Sequence, residues 1–129
     1  MRDVTVRSGE GKFQQVVLVG PHRGVADEPT ELGGDDAGPA PFEHVLAGLG
    51  ACTSMTIRMY ADRKSLPLKS VNVDLSIHKE DDGYRLTRSI TLEGDLTEEQ
   101  RKRLLEIANK CPVHKMLTGK ISIESALAT

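Results

Sequence analysis

Two cysteines, Cys52 and Cys111, carry the most chemical potential in this chain. A thiolate is a nucleophile, a metal ligand and one half of a disulfide. Two thiols can equally be inert core residues, since free cysteine is among the most buried residue types. The run Cys111-Pro112-Val113-His114 has a Cys-x-x-His spacing that could supply two zinc ligands. No second Cys/His pair accompanies it, and the other histidines are His22, His44 and His78. A structural zinc site takes four ligands, so no metal is expected, and His114 reads as a helix-turn residue or a partner of Cys111. A reactive Cys52 would need a cation beside it. Arg23 and Arg58 are the visible candidates, but Arg58 lies about 600° further round an ideal helix and faces the other way. A residue from outside that helix is therefore favoured.

The elements that must position these residues can be read from pattern. Val4 and Val6 alternate with polar neighbours, and Phe13 to Val19 is a second β-rich run after the turn at Ser8-Gly9-Glu10-Gly11. A third short strand is expected over His22 to Ala26. Residues 28–41 are rich in glycine and proline and read as a long loop. A helix should open at Pro41, with Glu43 near its positive end, and run to about Lys64. Cys52 falls inside it. Gly48 and Gly50 lower helix propensity by about 1 kcal/mol each, so close approach of a neighbour is expected there. The helix reads as central and largely buried.

Val71, Val73, Leu75 and Ile77 alternate with polar residues, Asp81-Asp82-Gly83 signals a hairpin, and Tyr84 to Leu92 pairs back. Thr97 and Gln100 have the spacing of a capping box at the start of a second helix. That helix must end before Cys111-Pro112, because the residue preceding proline is pushed out of helical angles. Pro112 can open a short third helix, Val113 to Leu117, with Cys111 just outside its N-terminus. That position gives Cys111 a local reason for a lowered pKa and gives Cys52 none. A last strand is expected over Ile121 to Leu127. The class is α+β, in the order βββ-α-ββ-αα-β.

Composition narrows the function. A chain of 129 residues fits one domain, residues 1–129. With aromatics at only 3%, its core must be aliphatic, and oligomerisation is plausible. A net charge of −2 leaves no basic excess to grip a phosphate backbone, which argues against nucleic-acid binding. The most apolar stretch, Val45 to Ile57, is too short to span a bilayer, and no signal-peptide pattern opens the chain. A soluble, cytoplasmic protein is expected, and in that setting two cysteines argue against a structural staple.

The run Gly38-Pro39-Ala40-Pro41-Phe42-Glu43-His44-Val45-Leu46-Ala47-Gly48-Leu49-Gly50-Ala51-Cys52-Thr53 resembles the central-helix signature of the OsmC/Ohr family. Lys110-Cys111-Pro112-Val113-His114 resembles its second-cysteine motif. The order and separation of the motifs extend the resemblance over nearly the whole chain. It implies an intertwined homodimer wrapped around the central helices, with active sites at the subunit interface. It also implies an activity: reduction of organic hydroperoxides, with Cys52 as peroxidatic thiolate, Cys111 as its disulfide partner, and an external dithiol as reductant. No bound cofactor is implied.

One departure stands out. Active members carry a Glu directly after the helix-opening proline, and it orients an arginine from the N-terminal strands. Here Phe42 follows Pro41 and the acid comes one later, at Glu43, about 100° further round. Arg23 is the choice for the arginine, with Arg2 and Arg7 on the first strand as the others. Besides the enzyme, two readings stay open: a non-catalytic small-molecule-binding dimer, and a stress-associated dimer whose cysteines are core residues.

Overall fold

The computed structural model describes residues 1–129, and its contacts divide into two compact units, Met1–Ala47 and Gly48–Thr129. In the first unit, β1 (Thr5–Ser8), β2 (Gln15–Val19) and β3 (His22–Ala26) form an antiparallel sheet in that order. Val16 on β2 and Ala26 on β3 are its buried apolar residues. The loop after β3 is organised by Asp27, which is only 2% exposed. Its carboxylate accepts hydrogen bonds from the backbone N–H groups of Glu28, Asp35 and Ala37 at 2.8, 3.2 and 3.1 Å. A buried carboxylate is tolerated when donors surround it in this way. A short 3-10 turn, Thr30–Leu32, interrupts the loop.

Helix α1 (Pro41–Arg63) starts in the first unit and lies mostly in the second. Glu43 caps its start, with Oε1 accepting from the Ala40 N–H at 2.7 Å. The helix is buried on one face only. Leu49, Thr53, Ile57 and Ala61, spaced four apart, point inward together with Gly50. Gly48, Ala51, Met55 and Met59 are exposed. The expectation of a largely buried helix therefore holds for half of its circumference within one chain. The two glycines have different reasons. A Cβ on Gly50 would meet Leu75 Cδ1 at 2.8 Å, so the sheet approaches the helix there. A Cβ on Gly48 would meet nothing within 4 Å.

The second unit continues with a long hairpin, β4 (Leu68–Glu80) and β5 (Gly83–Gly94), turning at Asp81-Asp82. Helix α2 (Glu98–Ala108) begins with the expected capping box: the Gln100 N–H donates to Thr97 Oγ1 and the Thr97 N–H to Gln100 Oε1. Helix α3 (Pro112–Thr118) follows, with Cys111 as its N-cap. Ile57, Ala61, Leu68, Leu104 and Ala108 form the core where α1, β4 and α2 meet. Residues 119–129 form no strand and are exposed throughout. The alternation that predicted a strand over Ile121 to Leu127 is real, but a strand needs a ladder to join, and this segment pairs with none.

Candidate functional site

Both cysteines lie in the second unit, and their segments come together. Cys52 is half-buried on α1, directly before the fully buried Thr53. Cys111 is fully buried. It sits there because α2 ends in tight turns, with the Asn109 N–H bonded to Glu106 O and the Cys111 N–H to Ala108 O, before Pro112 opens α3. The Cys111 sulfur accepts from the His114 N–H at 3.5 Å. Both cysteines are free thiols.

The surroundings shift the two thiols' pKa values in opposite directions. Burial pushes the Cys52 thiol up, but donors outweigh it: the Cys111 thiol, the Val113 N–H, the Thr56 hydroxyl and, beyond these, the charge of Arg88. The net direction for Cys52 is down. Burial pushes Cys111 up, and sharing its proton with Cys52 pushes it further, against the smaller pull of the His114 and Val113 N–H groups. This is opposite to the local helix-terminus argument for Cys111 and in line with the Cys52 thiolate that the family resemblance implies. The N–H groups at the start of the short helix do lower Cys111 locally, but desolvation and the neighbouring sulfur win, so Cys52 is the thiol of the pair that is favoured to ionise.

A falling pH should therefore find Cys52 still ionised below the ordinary thiol range of about 8.5, and protonate it only at its depressed pKa. The linked stability is present above the ordinary value and lost as pH falls through the depressed one. Removing the proton donor with Cys111→Ala is expected to shift the Cys52 titration upward, as read from thiolate absorbance against pH.

Arg88 of β5 is the cation that acts on Cys52 from within this unit. It is half-buried and donates to Thr53, Ala108, Asn109 and His114. The other residues weighed have these places in their own units. Arg58 donates to the Leu68 and Lys69 carbonyls at 2.9 and 3.1 Å and fastens β4 to α1. Arg23 is exposed on β3, and Glu43 is in the first turn of α1, bonded to Ala40. Arg88 was missed, yet the sequence carries a signal for it. Leu86, Arg88, Ile90 and Leu92 share one face of β5, so an arginine stands in a row of inward-facing apolar positions. His114, weighed as a zinc ligand, accepts from Arg88 Nη2 at 3.2 Å through Nδ1, since a guanidinium can only donate. A cavity of about 400 Å³ opens beside Arg88, lined mainly by Leu49, Leu86, Ile90, Leu105 and Leu117, with His114 and Asn109 among its polar groups.

A family model described as OsmC-like protein matches residues 33–126. The chain belongs to the OsmC-like protein family. Solved structures of similar fold agree. An OsmC-like protein of Mycoplasma pneumoniae superposes with a TM-score of 0.78 at 19% identity, covering 92% of this chain and 88% of its own. An osmotic stress induced and detoxification response protein of Psychrobacter arcticus gives 0.76 at 18%, covering 90% and 88%. The organic hydroperoxide resistance protein OhrB of Bacillus subtilis gives 0.65 at 20%, covering 92% and 91%. At these identities the likeness is one of fold. A search of curated protein sequences finds no match. Within the OsmC-like family, then, this chain holds two cysteines near each other and places an arginine of β5 against both of their segments. No helix is long and apolar enough to cross a membrane.

Proposed function

We propose that this OsmC-like protein is a cytoplasmic, thiol-dependent reductase of organic hydroperoxides, working as a homodimer of one-domain chains. The observation that carries the reading is the placement of the pair: Cys52 on α1 lies near the fully buried Cys111 that caps α3, and the surroundings favour Cys52 as thiolate and Cys111 as thiol. That is the polarity a two-cysteine peroxide reductase needs. The Cys52 thiolate attacks the outer oxygen of R–O–OH. An S–O bond forms, the O–O bond breaks, and the alkoxide takes a proton and leaves as the alcohol. Cys52 is then a sulfenic acid. The Cys111 sulfur attacks the Cys52 sulfur, its proton leaves with the hydroxyl as water, and a disulfide remains. An external dithiol reduces that disulfide by exchange and is itself oxidised. Similarity in fold to proteins named for organic hydroperoxide resistance supports the substrate class. Arg23 and Glu43 join the proposed catalytic set on resemblance alone, as the arginine and acid that serve the thiolate in active members.

The direct test treats the reduced protein with one equivalent of an alkyl hydroperoxide and counts thiols. The expected result is rapid loss of both, with a disulfide between Cys52 and Cys111. Retention of both thiols would falsify the reading. The apolar cavity beside Arg88 would then favour the second reading, a non-catalytic small-molecule-binding protein.

The dimer has its own support. Members of the family are typically homodimers. Gly48, Ala51, Met55 and Met59 leave an apolar stripe on α1 uncovered within the chain, and the Ile121 to Leu127 segment is an unpaired strand pattern. Gly48→Leu should favour the helix itself by roughly 1 kcal/mol. It is nonetheless expected to shift dimer to monomer in sedimentation velocity, because its side chain would stand where a second chain closes. A dimer that survives the substitution removes Gly48 from the interface.

A further inference from the structure

Arg88 faces inward between Leu86 and Ile90 on β5, opposite Leu75 across the hairpin. A charge set among apolar side chains is costly unless acceptors meet it. Arg88 meets four, and they come from both cysteine-bearing segments. Nη1 donates to Thr53 Oγ1 at 2.9 Å and toward the Ala108 carbonyl at 3.4 Å. Nη2 donates to Asn109 Oδ1 at 2.9 Å and to His114 Nδ1 at 3.2 Å. Thr53 adjoins Cys52 and is itself anchored, donating to the Leu49 carbonyl at 2.6 Å. Ala108 and Asn109 lead into Cys111, and His114 holds the Cys111 sulfur through its backbone N–H.

We propose that Arg88 is a positioning residue whose two-pronged guanidinium holds the Cys52 and Cys111 segments together and thereby sets the thiol–disulfide equilibrium of the pair. Closing a disulfide between segments already held in place costs little further ordering, which is the advantage of an intramolecular reaction. The planar fork matters as well as the charge. A lysine keeps the positive charge but is a compact ammonium that cannot reach acceptors on two prongs. The inference rests on Cys52 and Cys111 being a working redox pair. It does not rest on a hydroperoxide being the oxidant.

The test equilibrates wild type and Arg88→Lys in glutathione buffers of graded ratio, then alkylates free thiols and measures the disulfide fraction. Two protein thiols give up two electrons and two protons to one glutathione disulfide, yielding the protein disulfide and two glutathione thiols. Arg88→Lys is expected to lower the constant for disulfide formation about tenfold or more, a rise of about 30 mV in reduction potential. Asn109→Ala removes one acceptor from an exposed residue and decides the matter should Arg88→Lys not fold. Its constant should fall in the same direction, by roughly two- to threefold. A purely structural arginine would lower the unfolding temperature and leave both constants at the wild-type value, and that result overturns the proposal. A wild type that forms no disulfide in any buffer sinks the redox pair and this inference together. A wild type that forms the disulfide but ignores hydroperoxide sinks only the peroxide reading.

Discussion

Cys52→Ser is expected to lower the second-order rate of hydroperoxide consumption by on the order of 10³-fold or more, the scale seen when a catalytic nucleophile is removed. A serine hydroxyl is a far weaker acid than a thiol and stays protonated under conditions where the Cys52 thiol is favoured to ionise. Cys111→Ser should behave differently. The first step needs only the Cys52 thiolate, so one equivalent of peroxide should still react. The sulfenic acid then has no partner. It should be trapped by a 1,3-dicarbonyl probe, and a second equivalent should carry it irreversibly to the sulfinic acid. Stopped-flow peroxide consumption together with intact mass separates the two variants. Equal rates in wild type and Cys52→Ser would remove the thiol from the chemistry. A Cys111→Ser protein that cycles through many equivalents without sulfinic acid would remove Cys111 from the resolving role.

This asymmetry was only half legible in the sequence. The elements were, because their signals are local. Thr97 and Gln100 cap α2 as their spacing requires, and Pro112 opens α3 where the residue before it had to leave the helix. Both cysteine motifs could be quoted from the chain alone. What could not be read was the balance at the sulfurs. The local rule for Cys111, a helix N-terminus, pointed to a lowered pKa. The full site adds complete burial and a second sulfur, and neither has a sequence signature. The cation that acts on Cys52 is likewise a tertiary fact. Arg88 is 36 positions beyond Cys52 and reaches its neighbour Thr53 only because β5 packs on α1. The pattern Leu86, Arg88, Ile90, Leu92 flagged it in principle, since an arginine in an apolar register must find acceptors somewhere. The lost strand over Ile121 to Leu127 has the opposite cause. Its alternation is a local signal for which a single chain provides no ladder.

Ile57→Ala and Leu104→Ala should each destabilise the protein by about 2–5 kcal/mol, a large share of the 5–15 kcal/mol typical of a domain. Both side chains are completely buried, and both belong to the core where α1 meets α2. Truncation removes the transfer free energy of the lost methyl and methylene groups and leaves a cavity that two packed helices cannot fill by small shifts. Position makes these residues matter to the site as well. Ile57 lies one turn beyond Thr53 on α1, and Leu104 one turn before Ala108 on α2. They belong to the core on the same two helices that Arg88 joins. Urea unfolding checks the effect: the midpoint should fall with the slope unchanged. Met59→Ala is the internal contrast. Its side chain is 66% exposed in the single chain, so a monomer should change by less than about 0.5 kcal/mol. In a dimer that closes over Gly48 and Met55 the same substitution should cost more, and the cost should grow as protein concentration is raised above the dissociation constant. A Leu104→Ala protein with a wild-type midpoint would mean that α2 is not seated on α1 as described, and the geometry that brings Cys111 to Cys52 would fall with it.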